Sequence, residues 1–200
     1  MVIAIPYLKR MVKLSSMNAS HWREPMWNYR KLSFEEAELI NGMNPSQYIK
    51  NAWREVAGKR QLVEINYHDK DWPSGYDYHL SHLRDTIRSG GEAVGAFDGD
   101  NNLIGFAAVN REAFGDKYRY VLLDQLFITL EHRGKGIGKK LFAIAVHQAR
   151  EWGAEKLYIC AGSAEETIAF YGAMGCREAA EVSRKLLEND PRDVQLEFVL

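Results

Sequence analysis

The apolar positions of the chain repeat with two different periods, and each change of period marks an element boundary. Tyr120 to Leu130 is an apolar, β-rich run that ends in a polar turn. Past Gly134, Gly136 and Gly138 the period changes. Ile137, Leu141, Ile144, Ala145 and Trp152 then share one helical face, while Lys139, Lys140, His147, Arg150 and Glu151 lie elsewhere. The stretch reads as strand, glycine-rich turn and helix. Such a unit suits a phosphate, because glycines let the backbone come close to an anion. The free N–H groups of the first helical turn also point at it with the positive end of the dipole.

The same reading extends over the rest of the chain. Asn28–Leu32 is a short strand before Ser33-Phe-Glu-Glu36, a capping box that opens a helix through Ile40, stopped by Asn41-Gly42. Asn44-Pro45 restarts a helix whose stripe is Ile49, Ala52, Trp53 and Val56, with Gly58 at its end. Leu62–Tyr67 alternates as a strand, and 68–75 is a loop by composition. Tyr76, Leu80, Leu83 and Ile87 form the next helical stripe, closed by Gly90-Gly91. Glu92–Phe97 and Leu103–Asn110 make a hairpin around 98–102. After the loop-helix unit come a buried strand, Lys156–Cys160, and a second capping box, Ser163-Ala-Glu-Glu166, opening a helix to about Met174. Arg177–Ala180 and Val194–Val199 close the chain as a hairpin with a partly helical connection. This order predicts an α/β (α+β) fold with a mostly antiparallel sheet rather than a doubly wound one.

The glycine spacing narrows the ligand. A dinucleotide fingerprint requires Gly-x-Gly-x-x-Gly, and a Walker loop ends in Lys-Ser/Thr; neither is present. What is present is Arg133-x-x-Gly136-x-Gly138 behind a Leu-x-Ile strand. Here the sequence resembles the GNAT superfamily of acyl-CoA-dependent N-acyltransferases, whose pyrophosphate loop carries Arg/Gln-x-x-Gly-x-Gly/Ala. A second stretch is similar to the family's later helix: Phe170-Tyr171-x-x-x-Gly175, with Cys176 where an aromatic is usual. The likeness spans roughly residues 92–180. It implies a central sheet of about six to seven strands flanked by helices, residues 27–200 as the acetyltransferase domain, and residues 1–26 as an extension.

The resemblance also implies a chemistry. Acetyl-CoA would be the cosubstrate and a primary amine of a small molecule or peptide the acceptor, attacking the thioester directly. Leu126, Phe127 and Ile128 would bind the pantetheine arm through backbone groups, like an added strand. Arg133, Gly134, Lys135, Gly136, Ile137, Gly138 and Lys139 would hold the pyrophosphate. Tyr171 takes the place of the general acid to the leaving sulfur, its alternative being packing beside Ile168. Ala164 stands where many members carry an Asn on the cofactor arm, so Ser163 is the candidate substitute, or only a helix cap. For the general base the candidate is Asp124, the acid within the Tyr120 strand. By the two-residue period it shares a face with Leu126 and Ile128 and is partly desolvated. Glu64 is second. A catalytically silent acyl-CoA sensor is the alternative function.

Composition removes other classes. A net charge of −1 gives no field for nucleic acid. Two cysteines, Cys160 and Cys176, make no disulfide framework and fit a reducing cytoplasm. No apolar run reaches the ~18 residues of a membrane span. His79-x-x-His82 has helical spacing but reads as solvated helix rather than as a metal site, so no metal is expected. Val194–Val199 or the N-terminal extension offers a surface for a homodimer.

Overall fold

Apolar alternation and turn chemistry together build one large sheet. A computed structural model describes residues 27–200, and the extension 1–26 lies outside the described residues. The strands are β1 (Asn28–Lys31), β4 (Glu92–Phe97), β5 (Leu103–Val109), β6 (Tyr120–Ile128), β7 (Lys156–Ala161), β8 (Arg177–Glu178) and β9 (Val194–Val199). They lie in the order β1-β4-β5-β6-β7-β9-β8. Every neighbouring pair is antiparallel except β6 and β7. The mostly antiparallel sheet expected from the element order is therefore present, with seven strands. β9 pairs with β7 along its length and with β8 at Leu196 and Glu197, so the strand suggested as a dimer edge is already bonded within the chain.

Helices cover both faces. On one face lies α2 (Ile137–Glu151), which buries Ile137, Leu141, Phe142, Ala145, Val146 and Ala149 against Val94, Ala96, Val121, Leu123, Leu157 and Ile159. α3 (Glu165–Ala173) packs beside it through Ile168, Phe170 and Tyr171. The opposite face carries α1 (Tyr76–Arg88), with Leu83 and Trp72 against Ala93, Phe97, Phe106 and Ala108. A short helix, α4 (Arg184–Asn189), starts at Ser183, whose side chain accepts from Leu186 N–H.

One element differs in kind from its expectation. Residues 47–56 are not a helix but strand β2 (Gln47–Val56), paired antiparallel with β3 (Lys59–Asp69) in a separate two-stranded sheet. Ile49, Ala52, Trp53 and Val56 match a helical stripe by coincidence. The deciding signal is the turn: Ala57 and Gly58 have φ of 50° and 74°, the paired left-handed residues of a two-residue hairpin. Ser33 and Glu36 do form the reciprocal box, Glu36 N–H to Ser33 Oγ at 3.2 Å and Ser33 N–H to Glu36 Oε2 at 3.0 Å. It opens a 3-10 helix, Glu36–Gly42, instead of an α-helix.

Candidate active site

The site is made where the parallel pair comes apart. β6 and β7 pair only from Tyr120↔Lys156 to Leu123↔Ile159, yet β6 continues to Ile128. Beyond Leu123 its β7-facing main-chain groups have no strand partner among the described residues, so an extended ligand can add there as a strand would. The cause is a β-bulge. Val109 pairs with Leu123 and Ala108 with Gln125, which leaves Asp124 as the extra residue.

The bulge also corrects the facing of Asp124. Val121 and Leu123 point to the α2 core before it, and Leu126 and Ile128 point there after it. The extra residue has shifted the parity by one. Asp124 consequently faces α1, where its Oδ2 lies 3.6 Å from His82 Nδ1. It does not share a face with Leu126 and Ile128. The Asp124 carboxylate beside it raises the His82 pKa above that of a free imidazole, although burial opposes this. Tyr78 stacks on His82, ring centroids 4.1 Å apart. His79, one position along, is held by Gln125 Oε1 at 3.0 Å and the Pro73 carbonyl at 2.6 Å. Burial lowers its pKa, so it is a neutral packing histidine. Glu64 lies on the exposed hairpin and accepts from Asn66, away from the bulge. Among the described residues no cluster of three or more His, Cys, Asp or Glu is placed to hold a metal.

At the end of β6 the glycine turn opens to solvent. Gly134 and Gly136 have φ of 74° and 82°, and a Cβ at either would meet nothing within 4 Å. Gly136 caps α2, and Lys140 is the residue whose N–H bonds back to the Gly136 carbonyl. The N–H groups of Ile137, Gly138 and Lys139 are therefore free for an anion. Lys135 and Lys139 are exposed beside them. The Arg133 side chain is used differently from the expectation. Its Nε donates to the Ile128 carbonyl at 3.0 Å and its Nη2 to the Pro45 carbonyl at 2.9 Å. It braces the turn against β6 and the hairpin root, and its own N–H is bonded to the Leu130 carbonyl at 3.3 Å.

The β2–β3 hairpin spans the opening, from its root to the part of β2 near its turn. On the β6 side Asn44 N–H donates to Thr129 Oγ1 at 2.9 Å. On the β7 side Trp53 N–H donates to the Ser163 carbonyl at 2.8 Å, and Arg54 Nη1 donates to Ser163 Oγ at 2.5 Å. Ser163 is thus 9% exposed beneath β2, its hydroxyl engaged by Arg54. The N-cap of α3 is Ala164, so the second capping box does not form.

Tyr171 is the one buried residue of α3, at 7% exposure. Phe170 and Phe142 flank it at 5.1 and 6.1 Å between ring centroids. Burial pushes its pKa well above that of a free phenol, and Cys176, Asp193 and Cys160 add in the same direction. Among the described residues its hydroxyl has no hydrogen-bond partner. It is a protonated donor at neutral pH. Burial likewise pushes Cys160 and Cys176 up to about 12, so both are neutral thiols rather than nucleophiles.

The profile of the acetyltransferase (GNAT) family matches residues 59–176, more than half of the chain. The chain belongs to the GNAT acetyltransferase family. No curated protein matches this acetyltransferase. Among solved structures it is similar to nourseothricin acetyltransferase, at 19% identity and a TM-score of 0.67 over 86% of this chain and 98% of that one. It is also similar to the PaiA N-acetyltransferase of Thermoplasma acidophilum, solved with coenzyme A, at 18% identity and a TM-score of 0.56 over 88% and 98%. The acetyltransferase of this chain transfers acetyl groups from acetyl-CoA. Its open β6 edge and free α2 N-terminus fit the two parts of that cosubstrate, an amide-bearing arm and a pyrophosphate.

Sequence reasoning does not find His82: the His79-x-x-His82 spacing pairs the two histidines, whereas in the fold His79 meets Gln125 and His82 meets Asp124.

Proposed function

We propose that this enzyme acetylates a primary amine of a small molecule or peptide, with Tyr171 and Asp124 on opposite sides of the β6–β7 opening. The single observation that carries this reading is the opening itself. It joins an α2 face bearing the anion site and Tyr171 to an α1 face bearing Asp124 and His82. Leu126, Phe127 and Ile128 offer main-chain groups to the pantetheine arm, and the Gly134–Lys139 main chain with Lys135 and Lys139 holds the pyrophosphate. Acetyl-CoA supplies the activated acetyl group. The amine enters from the α1 face, and Asp124 with His82 accepts the proton that nitrogen loses as the amide forms. Tyr171 donates to the departing sulfur. So weak an acid stabilises the thiolate chiefly as a hydrogen-bond donor rather than by giving up its proton. Nourseothricin acetyltransferase has a name that denotes an acceptor. Its fold supports, for this chain, an amine-bearing natural product as one arm of a screen.

The test is free-thiol release from acetyl-CoA against alkylamines, amino acids, polyamines, aminoglycosides, streptothricin-type antibiotics and peptides. Turnover with one class identifies the acceptor. Acetyl-CoA binding by calorimetry with silence across the panel would favour a non-catalytic acyl-CoA sensor instead.

A further inference from the structure

The β2–β3 hairpin meets the domain again beyond the opening. Its tip reaches β8, where Arg60, just past the Ala57-Gly58 turn, pairs with Glu178. A cleft of about 370 Å³ lies between the hairpin, α3 and the β8–β9 edge. That volume falls within the roughly 300–1,000 Å³ of small-molecule sites. Ile168 of α3 with Val194 and Leu196 of β9 give it an apolar floor, and the half-buried Trp53 gives it an aromatic wall. No lining residue belongs to β6, to the glycine turn or to the groups given a role in acetyl transfer.

Gly172 keeps the cleft open. It sits in the last turn of α3 and lines the cleft. Glycine weakens a helix, and a left-handed φ or a close approach is the usual reason to keep one. Neither applies here: its φ is not positive, and a Cβ would meet nothing within 4 Å. What a side chain at this position would do is occupy the cleft.

The rim carries the charge. Arg60 is matched by Glu178. Arg177 donates through Nε to Glu197 Oε1 at 3.1 Å, but Glu197 also holds Lys156 at 2.9 Å. Three cations thus face two carboxylates, an excess of one positive charge. Among the described residues the outer nitrogens of Arg177 have no hydrogen-bond partner, and its side chain is 66% exposed. A guanidinium free at that end presents parallel N–H donors that match a carboxylate.

We propose that this cleft is a second binding site, for an aromatic monocarboxylate, with the ring against Trp53 and Ile168 and the carboxylate on Arg177. The inference is independent of the amine-acceptor reading. The single excess charge selects a monoanion over a multiply charged one. The apolar floor and the indole wall select a ring over a sugar.

The experiment titrates 2-naphthoate into the full chain by calorimetry, with the uncharged 2-naphthamide as its isosteric control. 2-Naphthoate should bind with a Kd at or below about 1 mM, and the amide ~10-fold or more weakly, because a charged partner strengthens the bonds from arginine. Gly172→Leu, which fills the cleft from α3, should weaken 2-naphthoate by ~10-fold or more. Acetyl-CoA affinity should stay within about twofold, and the Tm should not fall, since leucine is the better helix former. Arg60→Ala, which leaves Glu178 unmatched at the rim, should weaken 2-naphthoate several-fold. If Gly172→Leu loses acetyl-CoA as well, Arg60→Ala decides, and unchanged 2-naphthoate affinity there overturns the site. Wild-type protein that binds no 2-naphthoate at several millimolar overturns the proposal. Equal affinity in wild type and a folded Gly172→Leu puts the ligand elsewhere and overturns it too, and equal affinity for acid and amide overturns the ligand class.

Discussion

At the scale of single residues, burial holds two groups in their less comfortable states. Tyr171 is buried and, among the described residues, without a hydrogen bond, which leaves its hydroxyl available to a leaving sulfur. A hydrogen bond to a developing anion contributes about 1.5–3 kcal/mol, so Tyr171→Phe should lower kcat roughly 10- to 100-fold. Acetyl-CoA affinity should be unchanged, and steady-state kinetics beside calorimetry separate the two. An unaltered kcat would remove Tyr171 from the mechanism. Asp193, in the turn before β9, is strained in the opposite sense. Its folded pKa, about 6, exceeds the ordinary 3.8, so the folded chain holds its proton more tightly than the unfolded chain. The resulting penalty is absent below about pH 4 and complete above about pH 6. Asp193→Asn should accordingly stabilise the protein at pH 7, by roughly 1–3 kcal/mol, and add almost nothing near pH 4. Thermal melts at the two pH values check this. A variant no more stable at pH 7 than at pH 4 would show that the carboxylate is not burdened by burial.

At the scale of elements, the glycine turn and the hairpin root are joined through Arg133. One guanidinium fixes the Ile128 carbonyl at the end of β6 and the Pro45 carbonyl before β2, so it sets both the anion turn and the span over the opening. Arg133→Ala should raise the KM for acetyl-CoA several-fold and destabilise the fold by about 1–3 kcal/mol, from two carbonyls left without their donor. Arg133→Lys should restore little, because an ammonium lacks the planar fork. Rescue by lysine would mean that charge, rather than the two-point brace, matters there. The turn itself was legible in the sequence because glycine at positive φ and a change of period leave a local trace. The hairpin was not. Its residues also satisfy a helical stripe, and only the Ala57-Gly58 turn distinguishes the two readings. The bulge at Asp124 was equally hidden, since nothing in Leu122-Leu123-Asp124-Gln125 announces an extra residue. It exists because of how β6 registers on β5. Hence Asp124 faces α1 rather than the side of Leu126 and Ile128.

At the scale of the whole molecule, the sheet can open at one end because it is clamped at the other. Tyr120 and Lys156 begin the paired stretch of β6 and β7, and both reach Glu197 on β9, which is fully buried. Lys156 Nζ lies 2.9 Å from each carboxylate oxygen, Tyr120 donates at 2.7 Å, Arg177 of β8 at 3.1 Å and the Ala180 N–H at 3.0 Å. One carboxylate thus ties four strands. Burial alone would raise its pKa, but the bonds from Ala180, Lys156, Tyr120 and Arg177 outweigh it and bring the group to about 2. That value is below the ordinary 4.5, so the clamp stabilises the fold fully above about pH 4.5 and is lost as pH falls toward 2. Glu197→Gln should destabilise the protein at pH 7 by about 3–5 kcal/mol, because it leaves the Lys156 charge buried and unpaired. Urea unfolding of the two proteins should show midpoints that converge between about pH 4.5 and 2, as acid turns the wild-type carboxylate into a neutral group like the amide. Midpoints that stay equally far apart across that range would mean that shape rather than charge holds the strands. Replacing Lys156 and Glu197 together by leucine should recover most of the loss, since paired removal leaves no orphaned charge.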